Sequence, residues 1–352
     1  MKLKILIVTG KLQSYRIPIF NEIVKKGIDL TVAHSYKLLD DGTFLFKEVL
    51  LEEKTIGPFS YHKKNLKKFC SNFDIVIATF YLQKLSFMSL LCGNRKFKLA
   101  YWGIGVKASQ NHRFDTPTFL NYIRYFIAKK SDAMIFYTEY AKLKYLNRGI
   151  AKEKLFVMNN TVYVNPELVK SENAKSSMLL IGTLNKSKKV FELVEAYKRV
   201  LFKYPDLQIL EIIGGGEDFD ELVKWIAKHE VSKNIILHGP IYNEEEKATI
   251  LNRSICAISP DQSGLSVLET MGYGIPFITH KDSITGGERL NINEERGVLF
   301  DDFKDLEEIL EDIYHNPNKY LLKGESSRLY YNENRTVDNI VDEFFDLVSF
   351  LK

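Results

Sequence analysis

Apolar residues fall in short runs along this chain, each bounded by Gly, Pro, Asn or Asp, and most are followed by a segment with apolar positions at helical spacing. Such bounded runs read as strands buried on both faces of a parallel sheet. In the first half they cover 4–9, 30–34, 75–80, 98–102, 133–137 and 155–159. In the second half they cover 178–182, 208–213, 235–237, 255–259 and 276–279, with 297–300 a weaker case. Helical spacing is clearest over 191–204, where Leu193, Val194, Tyr197, Val200 and Leu201 share a face. It returns over 218–230, 244–252 and 265–272. Strands alternating with helices predict parallel sheets covered by helices on both faces. The pattern occurs twice, so the fold class is α/β with two doubly wound domains facing a central cleft. Their limits are 1–165 and 178–330, joined by a polar linker over 166–177. A last amphipathic helix within 331–352 carries Val337, Ile340, Val341, Phe344, Phe345, Val348 and Leu351 on one stripe. It is expected to pack back on the first domain. Open parallel sheets bind ligands at the carboxyl ends of their strands, so the residues after each strand carry the chemistry.

Composition changes this picture little. The 352 residues are 45% hydrophobic and 27% charged, which fits folded domains and argues against disorder. Cys70, Cys92 and Cys256 are widely spaced and odd in number, which suits a reducing compartment without disulfides or a zinc site. The start, Met1 to Thr9, reads as a buried first strand rather than a signal peptide. No apolar run approaches a membrane span. Charge is more telling. Residues 1–165 hold 27 Lys+Arg against 12 Asp+Glu, while 166–352 hold 22 against 33. Such asymmetry suggests that the first half meets an anionic partner, either nucleic acid or an anionic membrane surface.

The richest segment runs from Pro260 to Pro276. A strand ending at Ser259 leads through Asp261, Gln262, Ser263 and Gly264 into a helix starting near Leu265, with Glu269 one turn in. The helix closes in Gly272-Tyr273-Gly274-Ile275-Pro276. Unpaired backbone N–H groups of Ser263, Gly264, Leu265 and Ser266 suit a diphosphate or a sugar hydroxyl. Each carboxylate accepts two hydroxyl protons, which a ribose diol or a hexose edge offers. Three other strand ends stand out. Gly182-Thr183-Leu184-Asn185-Lys186-Ser187-Lys188-Lys189 clusters cations where a helix start disfavours them. Gly214-Gly215-Gly216 lets the backbone approach a ligand or turn sharply. His238-Gly239-Pro240-Ile241-Tyr242 offers backbone groups and a ring to a base.

Together these segments resemble the donor-binding half of retaining glycosyltransferases of family 4, whose two Rossmann-like domains form the GT-B fold. The resemblance covers 178–300 well. It implies that 178–330 binds a nucleoside diphosphate sugar and 1–165 binds the acceptor. Lys188 matches the family's diphosphate lysine, and Asp261 with Glu269 has the spacing of its two acids. The family commonly has Glu where Asp261 stands and Arg where Thr183 stands; Lys186 or Lys189 is the expected substitute for that arginine. The resemblance implies Lys188, Asp261 and Glu269 as catalytic. Gly182, Thr183, Lys186, Gly214, Gly216, Gly239, Tyr242 and 263–266 are then donor-binding. It also implies no cofactor beyond the co-substrate, and no metal.

The resemblance is looser over 1–165. There Gly10, Lys11, Tyr15 and Arg16 follow the first strand, and Arg16 offers a guanidinium to a phosphate. Trp102 and Gly103 end another strand, in Trp-Gly-Ile-Gly where relatives often have Trp-Gly-His-Gly; Ile104 takes the histidine's place and His112 is a substitute. The basic segment with Lys63, Lys64, Lys67 and Lys68 turned outward, and Leu66 and Phe69 inward, suggests contact with anionic lipid. The combined expectation is hexose transfer to a lipid-linked saccharide in cell-surface polysaccharide assembly. It would occur at the inner membrane face, on a cytoplasmic peripheral enzyme with no nucleic-acid partner. The alternatives are a non-catalytic nucleotide-sugar-binding partner of an active transferase, or an epimerase on the same fold. A nicotinamide dehydrogenase is disfavoured because the first-strand turn lacks the dinucleotide glycine fingerprint.

Overall fold

The computed structural model describes residues 2–37, 42–107, 114–170 and 175–352. His112 lies outside them. In chain order the elements are β1 (Lys4–Val8), α1 (Ile17–Lys25), β2 (Asp29–His34), β3 (Lys47–Leu50), β4 (Glu53–Ile56), β5 (Phe59–His62), α2 (Leu66–Cys70), β6 (Ile75–Thr79), α3 (Leu85–Ser89), β7 (Lys98–Gly103), α4 (Leu120–Lys130), β8 (Ala133–Phe136), α5 (Glu139–Leu146) and β9 (Leu155–Val157). They continue as β10 (Ser177–Ile181), α6 (Val190–Lys203), β11 (Ile209–Ile213), α7 (Phe219–Lys228), β12 (Ile235–Gly239), α8 (Glu244–Asn252), β13 (Ser254–Ile258), α9 (Ser266–Gly272), β14 (Phe277–His280), β15 (Gly297–Phe300), α10 (Asp305–His315), α11 (Pro317–Asn334) and α12 (Val337–Leu351).

These elements form two compact units. One comprises Met1–Lys107, Asp115–Tyr163 and Val337–Lys352; the other is built on Val164–Thr336. The first contains a seven-stranded sheet of order β3-β2-β1-β6-β7-β8-β9, parallel throughout. The second contains a six-stranded parallel sheet of order β12-β11-β10-β13-β14-β15. Both are doubly wound, Rossmann-like sheets. In each, the strand order reverses at one point: between β1 and β6, and between β10 and β13. Doubly wound sheets bind ligands beyond the carboxyl ends of the strands at that point.

The sequence forms these strands because they are apolar on both faces; β6, β8, β10 and β13 are buried at every residue. Helix starts are fixed locally. Thr138 caps α5 by accepting from the Ala141 amide, and Asn243 caps α8 by accepting from the Glu246 amide. The last helix, α12, buries Ile340, Val341, Phe344, Leu347, Val348 and Leu351 in the core of the first unit, beside Ile5, Ile7 and Phe20. Burying six such side chains, at about 1.5–3 kcal/mol each, holds a segment that arrives after the whole second unit.

Some elements differ from the pattern reading. The edge strand β3 and the antiparallel hairpin β4–β5 are additional to it, because their half-exposed residues give no apolar contrast. So are α10 and α11. Residues 331–334 belong to α11, not to the last helix, which starts at Val337. The inward face of α11 is Tyr320, Gly324, Ser327 and Tyr331 rather than an aliphatic stripe. A side chain at Gly324 would lie 2.2 Å from the Gly274 carbonyl, so a small residue lets this helix meet the turn after α9 backbone to backbone. The linker is also shorter and more structured than expected. Lys170 donates its amide to Asn252 Oδ1, Asn252 Nδ2 donates to the Leu168 carbonyl, and β10 already begins at Ser177.

Candidate functional site

In the second unit, the loops after β10, β11 and β12 are tied to one another through backbone hydrogen bonds. The Gly182 amide donates to Ile213 O, the Leu184 amide to Gly215 O, and the Gly214 amide to Gly239 O, each at 2.9 Å. Gly214 and Gly216 have φ of +151° and +150°. A Cβ on them would lie 1.9 Å from Gly182 O and 2.1 Å from Leu184 O. The neighbouring loop therefore requires glycine at both positions. Gly239 likewise turns in the left-handed region, and Tyr242 just beyond it is 87% exposed, so its ring is not packed against the protein.

Lys188 is the notable group of the first loop. It is only 3% exposed, and burial pushes its ammonium down to about 8. Its Nζ lies 2.8 Å from the position a Cβ on Gly182 would take. No acceptor among the described residues pairs with it. A buried ammonium without a counter-charge is costly unless an anion arrives or the proton leaves. The other two lysines differ. Lys186 is exposed, and Lys189, at φ +56°, is paired with Glu192 at 3.2 Å. Thr183 is exposed and uncharged, so Lys188 is the only cation this loop turns inward among its described residues.

Across the strand-order reversal, β13 ends in the loop that leads to α9. Ser259 Oγ donates to Gln262 O, and Ile284 donates its amide to Asp261 O. The Ser263 amide donates to Ile284 O at 2.8 Å, and its hydroxyl pairs with Ser283. Ser263 is thus committed to holding the loop, against the expectation that its N–H is unpaired. The amides of Gly264, Leu265 and Ser266 have no acceptor among the described residues. A Cβ on Gly264 would meet open space, so this loop leaves room where Gly214 and Gly216 leave none. The Asp261 carboxyl is half-buried and held above the usual carboxylate range by that burial, with His280 and Lys189 pulling the other way. Glu269 is paired with Lys247 of α8, and both side chains are partly exposed. Nothing in the sequence singles out Lys247, which follows three glutamates at the start of an otherwise ordinary helix.

In the first unit, the cluster after β1 is built around Arg16. It is 7% exposed, and its guanidinium stands 4.2 Å over the Trp102 ring. Its Nε donates to the Tyr15 hydroxyl at 3.1 Å and an Nη donates to Tyr137. No carboxylate accompanies it among the described residues. Trp102 Nε1 is buried and has no hydrogen-bond partner there either. The site therefore has more donors than acceptors. Tyr137, one residue past β8, escapes a sequence reading because an isolated tyrosine at a strand end gives no signal. Gly103 is needed for packing: a Cβ would sit 2.9 Å from that of Phe80. Gly10 faces Lys84, and Lys11 lies over the Tyr36 ring at 5.0 Å, away from Arg16's cage.

The basic segment at 63–68 is partly engaged. Lys63 pairs with Glu52 at 2.5 Å, and Lys67 donates to Cys92 O, leaving Lys64 and Lys68 outward. Leu66 and Cys70 form the inward face of α2, with Phe69 only half-buried.

Residues 166–332 match the family model for glycosyl transferases group 1. The chain is 24% identical over 204 residues to poly(glycerol-phosphate) alpha-glucosyltransferase of Bacillus subtilis (strain 168), covering 57% of this chain and 29% of that relative. It is 27% identical over 141 residues to alpha-monoglucosyldiacylglycerol synthase of Acholeplasma laidlawii, covering 40% and 35%. The matched parts thus span about a third of these relatives. Among solved structures, HepE of Anabaena in complex with UDP aligns with a TM-score of 0.69 at 13% identity over 99% of this chain and 100% of that one. A mutant of S. aureus TarM in complex with fondaparinux, alpha-GlcNAc-glycerol and UDP aligns at 0.70 and 13%, over 99% of both. At such identities the likeness speaks for the fold alone. The chain has the GT-B fold, and the segment that matches the glycosyl transferases group 1 model, 166–332, falls within its second unit.

Proposed function

We propose that this protein transfers a hexose from a nucleoside diphosphate sugar to a hydroxyl of a lipid-linked saccharide, with retention of anomeric configuration and without a resident metal. The observation that carries the reading is Lys188: a buried ammonium, unpaired among the described residues, at the strand-order reversal of the second sheet. A diphosphate supplies the missing counter-charge. As the glycosidic bond breaks, negative charge grows on the leaving diphosphate, and Lys188 with the amides of Gly264, Leu265 and Ser266 stabilises it. Glu269, oriented by Lys247, accepts from the ribose hydroxyls, and Asp261 accepts from the sugar.

Arg16 and Trp102 serve the acceptor, their surplus of donors matching a phosphate. The names of the two curated relatives pair a glucosyl group with poly(glycerol-phosphate) and with diacylglycerol, which supports a phosphate-bearing or lipidic acceptor. The reading includes peripheral attachment to the inner membrane face, with Lys63, Lys64, Lys67 and Lys68 in contact with anionic lipid. No helix among the described residues is long and apolar enough to cross a membrane.

A thermal-shift panel of nucleoside diphosphate sugars tests the donor assignment, because a ligand of the folded state raises the melting temperature by mass action. A shift with one sugar nucleotide and none with nicotinamide dinucleotides is the expected result. No shift with any sugar nucleotide would reject the reading.

A further inference from the structure

We infer that the outer face of α4 is a membrane-docking surface, and that an anionic lipid bilayer is its partner. This extends the peripheral attachment proposed above to an element which that reading does not use. It is measured by binding, so it stands or fails separately from the transferase reading.

The helix is apolar on two faces. Tyr125, Ile127 and Ala128 point inward and are buried. On the outside, Phe119 is 75% exposed, Tyr122 65%, Ile123 40% and Phe126 60%. These four positions follow the i, i+3, i+4, i+7 spacing of a second helical stripe, continuous from Phe119 just before the helix. The Phe119 and Tyr122 rings lie 6.0 Å apart, forming one patch rather than scattered side chains. Single exposed apolar residues need no explanation, whereas a contiguous stripe of large ones marks an interaction site.

Charge selects the occupant. The segment 119–130 contains Arg124, Lys129 and Lys130 and no acid. The acids nearest to it in the chain are committed elsewhere: Asp115 to Tyr140 and Lys144, and Asp132 to Arg95 and the Leu99 amide. Lys96, Lys98 and Lys352 line the same surface depression as Lys130, together with the Arg95–Asp132 pair and Asp74, which accepts from the Lys4 amide, so cations outnumber acids past the helix end. Aromatic side chains flanked by cations, without acids, are the composition that settles at the headgroup level of an anionic bilayer. A second copy of this chain is a poorer occupant, since a two-fold contact would set the same cations against themselves. Because α4 is the crossover between the parallel strands β7 and β8, its Phe119 end lies toward the end of the sheet that carries Trp102. Docking there would hold the Arg16 cage close to a lipid-borne acceptor.

The test uses the full chain and sucrose-loaded vesicles, either of phosphatidylcholine alone or of phosphatidylcholine mixed equally with phosphatidylglycerol. The wild type is expected to sediment with the mixed vesicles and much less with the neutral ones. The double variant Phe119→Ser/Phe126→Ser should lose roughly tenfold or more in partitioning, and Lys129→Glu/Lys130→Glu should lose the preference for the anionic lipid. All four positions are on the surface, and unchanged thermal melting would show that the variants are folded. Wild-type partitioning of the double serine variant overturns the inference. Lys64→Glu/Lys68→Glu should weaken partitioning as well, since the lysine segment shares the contact; release by that variant together with wild-type partitioning of the double serine variant would assign the contact to the lysine segment instead. Concentration-dependent dimerisation that the serine variant abolishes would also overturn it, by assigning the face to a second copy.

Discussion

Lys247 and Glu269 form an ion pair that joins α8 to α9, the helix following the open loop of the second unit. The lysine pairs with one carboxylate oxygen of the glutamate and so sets its direction, and on the proposed reading the second oxygen meets the ligand. Lys247 is thus a positioning residue. Lys247→Met should raise KM for the sugar nucleotide several-fold while leaving kcat within about twofold, in keeping with a partly exposed pair worth on the order of 1 kcal/mol. Lys247→Arg should restore most of the loss. Steady-state kinetics reads the split; equal losses in kcat and kcat/KM would instead give Lys247 a role in the transition state.

Lys188 predicts a pH dependence. Its ammonium titrates at about 8 in the folded chain, below the ordinary lysine value, because of burial. Nucleotide affinity should therefore weaken as pH rises through that value and beyond, as the cation is lost. Stability should move the other way. Between the folded value and the ordinary lysine value the unfolded chain binds more protons than the folded one, so the ligand-free protein gains stability as pH rises. Lys188→Met should flatten both profiles. Titration calorimetry and denaturant melts across that range measure them.

The glycines separate into two classes. Gly216→Ala places a Cβ against Leu184 O at a φ of +150°, and should cost about 2–4 kcal/mol of stability. Gly264→Ala meets open space and should stay within about 0.5 kcal/mol of wild type. Urea melts compare them directly.

Trp102→Phe keeps the ring under Arg16 and removes an N–H that has no partner among the described residues. Stability should be unchanged or slightly improved, since an unsatisfied buried donor is lost. KM for a phosphate-bearing acceptor should rise, while donor affinity stays constant. An unaltered acceptor KM would separate Trp102 from the acceptor.

Much of this architecture is legible from hydropathy alone. Strands such as β6 and β13 are apolar on both faces, and that signal needs no tertiary context. The hairpin β4–β5 is half-exposed, and α11 turns Gly324 and Ser327 inward in place of an aliphatic stripe, so neither gives a periodic signal. At the site, the lysine cluster over 186–189 stands out by its place after a strand, and the family resemblance singles out Lys188 within it. Lys188 turns inward just before a left-handed residue, Lys189, and local sequence does not show which lysine of the cluster does so. The commitment of the Ser263 amide to Ile284 depends on a partner twenty-one residues away, and the Lys247 pair on another helix; local sequence encodes neither.

The most direct test of the central claim is hexose transfer from the sugar nucleotide identified by thermal shift to a crude lipid acceptor, comparing wild type with Lys188→Met. Transfer by the wild type, with a loss of roughly a hundredfold or more in the variant, is the predicted result. Wild-type transfer by a folded Lys188→Met protein would contradict the account.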